Sequence, residues 1–269
     1  MSKVLKIKIY QPTANYRVPF SYSRRLTYPI PPFSTLKGFL CNVLGIKNDN
    51  NETFGKIKEI SVAIFGRYES LVKEYIWFRN LKKESHIERF GHVTNRIKYY
   101  TPQHPGGQIP VIVDTLENVE LVIYIHHRDQ DFLAYLKNAL TSPVGRNTVL
   151  HLGRSEDWLV INCVGLIDVS EKQKNFFTVD YFTWIPNKDF IDREFIRADD
   201  EEYGEFFNNT RGNFVRIPTF YEIIEGQRIF TKFVFAKLFE KGFIENFSFY
   251  YDEEEKLPFI FTKLNGNEQ

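Results

Sequence analysis

Apolar and cationic residues alternate over residues 4–10, the period of two expected of a strand with one face in the core and its lysines on the wet face. Pro29, Pro31 and Pro32 then exclude regular structure, and Ser34 is placed to cap a following helix. Leu36, Phe39, Leu40, Val43 and Leu44 recur at helical spacing, and Gly45 is a natural stop. Residues 60–65 and 71–78 read as two further strands. From 79 to 110 neither period holds; three histidines, Arg89, Arg96, Lys98, Tyr99, Tyr100 and Gly106-Gly107 suggest a protruding, partly hairpin-like insertion. Strand patterns return at 111–113 and 119–126, a helix is predicted over 131–140, and 149–164 reads as another strand region.

Without the insertion the first 165 residues follow the order β-α-β-β-α-β. This predicts an α+β fold with a ferredoxin-like (RRM-like) palm, whose sheet face is a common RNA platform. Residues 176–184, 214–224 and 227–235, with Gly226 as a turn, form a β-rich extension. Two regions are therefore expected, a palm over 1–165 with its insertion at about 79–110, and an extension over 166–269 packed on it.

Composition sharpens this picture. The 26 Phe and 15 Tyr of 269 residues call for a thick β-rich core or extended contact with partners. Net charge is only +1, yet residues 1–48 hold eight Lys or Arg and no Asp or Glu. Residues 1–128 carry 19 basic against 10 acidic side chains, so the remainder is at −8, with a dense acidic run from Asp189 to Glu205. That run is expected either to be solvated, the preferred reading, or to dock on a basic neighbour. Cys41 and Cys163 are isolated, so neither a disulfide framework nor a zinc site is indicated. The N-terminal lysines are interspersed with apolar residues, and no apolar run reaches membrane length, so a cytoplasmic protein without signal peptide or membrane partner is expected.

Cations meet phosphates and aromatic faces meet unstacked bases, so the N-terminal zone points to single-stranded nucleic acid. Tyr22, Arg24, Arg25 and Tyr28 lead into Pro29–Pro32, and the first helical turn at Ser34 and Thr35 presents N–H groups to an anion, with Lys37 as a nearby charge. The same block also suits a stiff loop whose Ile30 and Phe33 staple the helix to the core. A second stretch, His151-Leu152-Gly153-Arg154-Ser155-Glu156-Asp157-Trp158, offers a close-approach glycine and two phosphate-directed donors, Arg154 and Ser155. It equally suits a glycine turn with a local Arg154–Glu156 or Arg154–Asp157 contact.

Together "YPIPPFSTLKGFLCNVLG" and "LGRSEDW" resemble the CRISPR-associated proteins of the fifth family, a branch of the RAMP superfamily, most similarly those of type I-B systems. The resemblance implies a non-catalytic Cascade subunit that caps the 5′ handle of the guide crRNA with a palm and a β-hairpin thumb. It also implies contact with the backbone and large subunits, and with target DNA only indirectly. The insertion lies where the thumb is expected, its Arg89, Arg96 and Lys98 clamping phosphates and Tyr99 or Tyr100 stacking on a displaced base.

Relatives of type I-C cleave precursor RNA without metal, which needs a base, an acid and a cation at the phosphorane. Lys98, Tyr99, Tyr100 and His104 lie close in sequence, but the type I-B likeness favours no catalysis and no cofactor. His126 and His127 are adjacent on a predicted strand and face opposite ways, so no shared metal is expected. No Walker-type or GxSxG motif is present. The reading of another class is a protein-interaction module without RNA binding, distinguished by its weak salt dependence.

Overall fold

The computed structural model describes residues 3–19, 21, 24–48, 51–79, 87, 97–98, 101–102, 108–224 and 227–265. Strand β1 (Lys3–Ala14) is followed by short strands β2 (Tyr16–Arg17), β3 (Arg24–Arg25) and β4 (Thr27–Tyr28), then helices α1 (Phe33–Val43) and α2 (Glu52–Lys58). Next come β5 (Ser61–Arg67), β6 (Ser70–Arg79), the two-residue strands β7 (Ile97–Lys98) and β8 (Thr101–Pro102), β9 (Gln108–His126) and α3 (Gln130–Thr141). The C-terminal part holds β10 (Val160–Asp168), β11 (Ser170–Val179), β12 (Phe182–Pro186), α4 (Asp200–Asn209), β13 (Asn213–Ile224), β14 (Gln227–Phe239), β15 (Gly242–Asp252), β16 (Leu257–Phe259) and β17 (Thr262–Lys263).

One sheet organises the molecule. Its central order is β10-β1-β9-β5, every neighbouring pair antiparallel, and β12, β14 and β13 extend it on the β5 side. Leu5, Ile7, Ile9, Ile64, Leu121 and Ile123 point to the face covered by α1 and α3, through Phe33, Leu36, Leu40, Leu133 and Leu136. Val4, Ala63, Phe65, Val122 and Tyr124 point the other way, into a second core made with a smaller sheet, β11-β15-β16, and with α4. Burial on both faces explains why β5 and β9 carry near-continuous apolar runs instead of strict alternation. It also places much of the phenylalanine: Phe177, Phe206, Phe247, Phe249, Phe259 and Phe261 fill this second core.

Several expectations change. The lysine face of β1 is only partly wet: Lys6 is buried with Nζ 3.0 Å from Asp252, and the half-exposed Lys8 has Nζ 2.9 Å from Glu255, because the β15–β16 turn folds over this face. Asp252 also accepts from the Tyr124 hydroxyl at 2.9 Å. The platform face of the sheet is thus covered by the chain's own C-terminal layer. Residues 111–113 and 119–126 are one strand of 19 residues, and 149–159 is a loop, its residues 151–158 closed by an isolated His151–Trp158 bridge. Of the acidic run, Asp192 is buried and accepts from Ser61 Oγ at 2.6 Å, and Asp199 caps α4 through the Glu201 and Glu202 N–H groups.

Helix α1 begins earlier than the serine implies. Pro32 is its N-cap, with its carbonyl accepting from Thr35 and Leu36, and no side chain caps it. Its end is as expected: Gly45 has φ +69°, and the Gly45 and Ile46 N–H groups bond back to Asn42 and Cys41, a Schellman stop. No helix among the described residues is long and apolar enough to cross a membrane.

Candidate nucleic-acid interface

The proline block is built into the core. Trp184 Nε1 donates to the Pro31 carbonyl at 3.1 Å, and the Trp184 ring meets Tyr28 edge-on at 5.7 Å. Burial pushes the Tyr28 phenol up to about 12, so it stays a neutral donor. Ile30 and Phe33 are fully buried, and Ser34 and Thr35 are half-buried or better in the first turn of α1. Lys37 is buried with Nζ 4.0 Å from the Phe220 ring centroid and 5.5 Å from that of Tyr221, so its charge faces an aromatic cage formed with β13.

The Gly153 loop closes on the protein itself. Gly153 has φ +117°, and a Cβ there would lie 2.7 Å from Asp157 Oδ2 and 2.9 Å from the Asn15 carbonyl, so the close approach it permits is intramolecular. Fully buried Asp157 accepts from the Asn15 N–H at 2.9 Å, the Arg154 N–H at 2.7 Å and Arg154 Nη2 at 2.7 Å. Gln11 Nε2 donates to the carbonyls of Leu152 and Asp157, and receives the Tyr16 hydroxyl at its Oε1. Burial lowers the Arg154 pKa, but the hydrogen bonds and charge of Asp157, with the charges of Glu156 and Glu74, together outweigh it and hold the value raised. Ser155 and Trp158 remain exposed.

This loop meets the root of a two-stranded ribbon. β6 pairs with β9 from Ser70↔Glu117 to Arg79↔Gln108, and β3 pairs in parallel with the opposite edge of β9 at Ile112 and Val113. Strand alternation gives the ribbon two distinct faces. On one, Arg24 makes a bidentate pair with Asp114 (2.9 and 2.8 Å from Nη2), in the row Arg24–Ile112–Tyr75. Tyr75 is 63% exposed and Trp77 57% exposed there, their rings edge-to-face at 6.2 Å. On the other face Arg25 neighbours Arg17 and Arg154, and Arg154 Nη1 approaches Glu74 at 3.4 Å. Burial, with the like charge of Arg17 and Arg154, lowers the Arg25 pKa against the pull of Glu156. A bound anion would relieve that repulsion.

The geometry therefore brings Arg24, Arg25 and Arg154 to the root of the ribbon, Arg24 on one face and Arg25 and Arg154 on the other, while Tyr28, Ser34, Thr35 and Lys37 belong to the helix side of the sheet. Tyr22, Arg89, Arg96, Tyr99 and Tyr100 lie outside the described residues, as does His104; of Lys98 only the backbone is described, in the β7–β8 pair. Arg17, Tyr75 and Trp77 are the additions the sequence did not single out. A Tyr-x-Trp pair on a predicted strand was the available signal, since every second residue shares a face. Among the described residues no group of three His, Cys, Asp or Glu is arranged to hold a metal. His126, the last residue of β9, lies against Phe195 and Asp192, and His127 just beyond it against Phe132.

Comparison with known proteins gives three findings. The model of the family described as CRISPR-associated protein (Cas_Cas5) matches residues 4–197. No curated protein matches the sequence. Among solved structures, a chain of a "CRISPR RNA-guided surveillance complex" is similar at a TM-score of 0.52 and 11% identity, over 88% of this chain and 91% of that one. A "CRISPR protein from Archaeoglobus fulgidus" gives 0.44 and 12%, over 97% and 98%. At such identity the first likeness is one of fold.

Proposed function

The chain belongs to the CRISPR-associated Cas5 family, and from that premise we propose that it is a non-catalytic subunit of a CRISPR effector complex, binding the 5′ handle of the guide RNA. The order β10-β1-β9-β5 supports reading residues 1–165 as a ferredoxin-like palm and 166–269 as its β-rich extension. The β6–β9 ribbon supports reading the 79–110 segment as a thumb carried on a rigid stem. The type I-B branch, with backbone and large subunits as partners, is the assembly we assign.

One observation carries the RNA reading. The sheet face that would serve as an RNA platform is covered, while Arg25 lies within the like charge of Arg17 and Arg154 at the root of a ribbon that displays Tyr75 and Trp77. Phosphates suit the first set and unstacked bases the second. The test is handle-RNA binding against salt by assembled complexes. Arg17→Ala with Arg25→Ala should flatten the salt slope by about 0.7 for each phosphate left without its cation. Tyr75→Ala with Trp77→Ala should weaken binding by about 1–3 kcal/mol per stacked base and leave the slope alone. Unchanged affinity and slope in both pairs would overturn the assignment.

A further inference from the structure

A second surface lies far along the chain from these residues. Helix α4, the turn between β14 and β15 and the start of β15 enclose a cleft of 1380 Å³. Its floor includes Phe206 and Phe247, stacked at 4.4 Å. At its rim Phe243 is 65% exposed and meets Phe176, 58% exposed, edge-on at 5.9 Å. Strand alternation explains their direction: Phe177, Val179 and Ile244 already take the inward positions of β11 and β15. It does not explain two phenylalanines on the outer side, where nothing among the described residues covers them. Exposed aromatic rings grouped at a cleft are the pattern of a protein interface.

Charge narrows the partner. Of the cations lining the cleft, Arg197 is paired with Glu171 at 2.9 Å and Lys241 with Asp180 at 3.1 Å. Glu202, Glu205 and Glu240 then face only Arg211, and none of these three glutamates forms an ion pair among the described residues. With three glutamates against one arginine unpaired among the described residues, such a cleft suits a basic partner better than a phosphate. A second copy of the chain would set the same glutamates against one another in an isologous contact. We propose that the cleft docks another protein subunit of the complex, through a segment that inserts an apolar side chain between Phe243 and Phe206 and brings Lys or Arg to Glu205 and Glu240. This rests on the reading of the chain as a complex subunit and assigns a surface to that role, separate from the RNA corner.

The test co-expresses the chain with its neighbouring subunits and measures subunit and RNA occupancy of the purified complex by native mass spectrometry. Two variants attack the surface differently: Phe176→Ser with Phe243→Ser, and Glu205→Lys with Glu240→Lys. Both change exposed side chains, so thermal melting of the isolated proteins should match the wild type. The expected result is that both variants lose the same protein subunit at least tenfold while guide RNA is retained. Full occupancy in both variants would overturn the proposal, as would loss of RNA with every protein retained, or a wild-type dimer that the serine variant abolishes. Wild-type complex that lacks RNA, with the variants still dropping one subunit, would refute the RNA reading and uphold the docking surface.

Discussion

Replacing Lys6 by Met removes a cation from Asp252 and leaves that carboxylate buried beside Tyr124. Unpairing a buried ion typically costs about 3–5 kcal/mol, and urea unfolding at pH 7 should read a loss of that order. Burial pushes the Asp252 pKa up, but hydrogen bonds from Lys6 and Tyr124 prevail and lower it. Its stabilisation is therefore present above the ordinary carboxylate value and is lost as pH falls through the folded one. Burial pulls Lys6 down, but Glu254 and Asp252 prevail and raise it, so its share is present below the ordinary lysine value and is lost as pH rises through the folded one. Wild-type stability should fall at both pH extremes, and Lys6→Met should flatten the acid limb; parallel pH profiles would show the pair to be inert. Gly153→Ala should destabilise by an amount visible in the same assay, because the backbone is left-handed and the new methyl meets Asp157 and Asn15. At this scale the sequence was legible only where partners are near. The Arg154–Asp157 contact spans three residues and was one of the two readings. Lys6 meets a partner 246 residues away and Lys37 faces rings of β13, so both read as surface cations.

Strands and helices were more legible than side chains. A buried face imposes a period on its own element, and α1 and α3 follow from it. The 149–159 loop misled because Leu152 and Leu159 are buried without any strand to carry them, so apolar content mimicked a strand. The Tyr75–Trp77 pair shows the converse: alternation gives its face, but only the fold reveals that the face stays exposed. The element-level prediction concerns the ribbon. Joining Arg79 to Pro110 by a short Gly-Ser bridge removes what lies beyond the stem and keeps the β6–β9 ladder through Trp77↔Pro110. The free protein should melt within a few degrees of wild type, whereas the yield of intact complex on a sizing column should fall severalfold. Unfolding of the free protein would make the segment core, and unimpaired assembly would remove its role as a thumb.

For the whole molecule, the expectation of no catalysis is tested by incubating the protein with repeat RNA and chelator, which should leave the RNA intact. Specific cleavage lost on His104→Ala or Tyr99→Phe would move the chain to the nuclease branch. The α+β class was legible because local periods survive in the chain. The second core was not, since it joins Val4, Ala63, Phe65, Val122 and Tyr124 to residues 169–261, and no local pattern announces which distant layer covers a sheet. That closure has a consequence in time. Ribosomes add about 5–20 residues per second, so the lysines of β1 emerge tens of seconds before Asp252 and Glu255 exist to cover them. Through that interval Lys6 and Lys8 are without the carboxylates that pair with them in the folded protein.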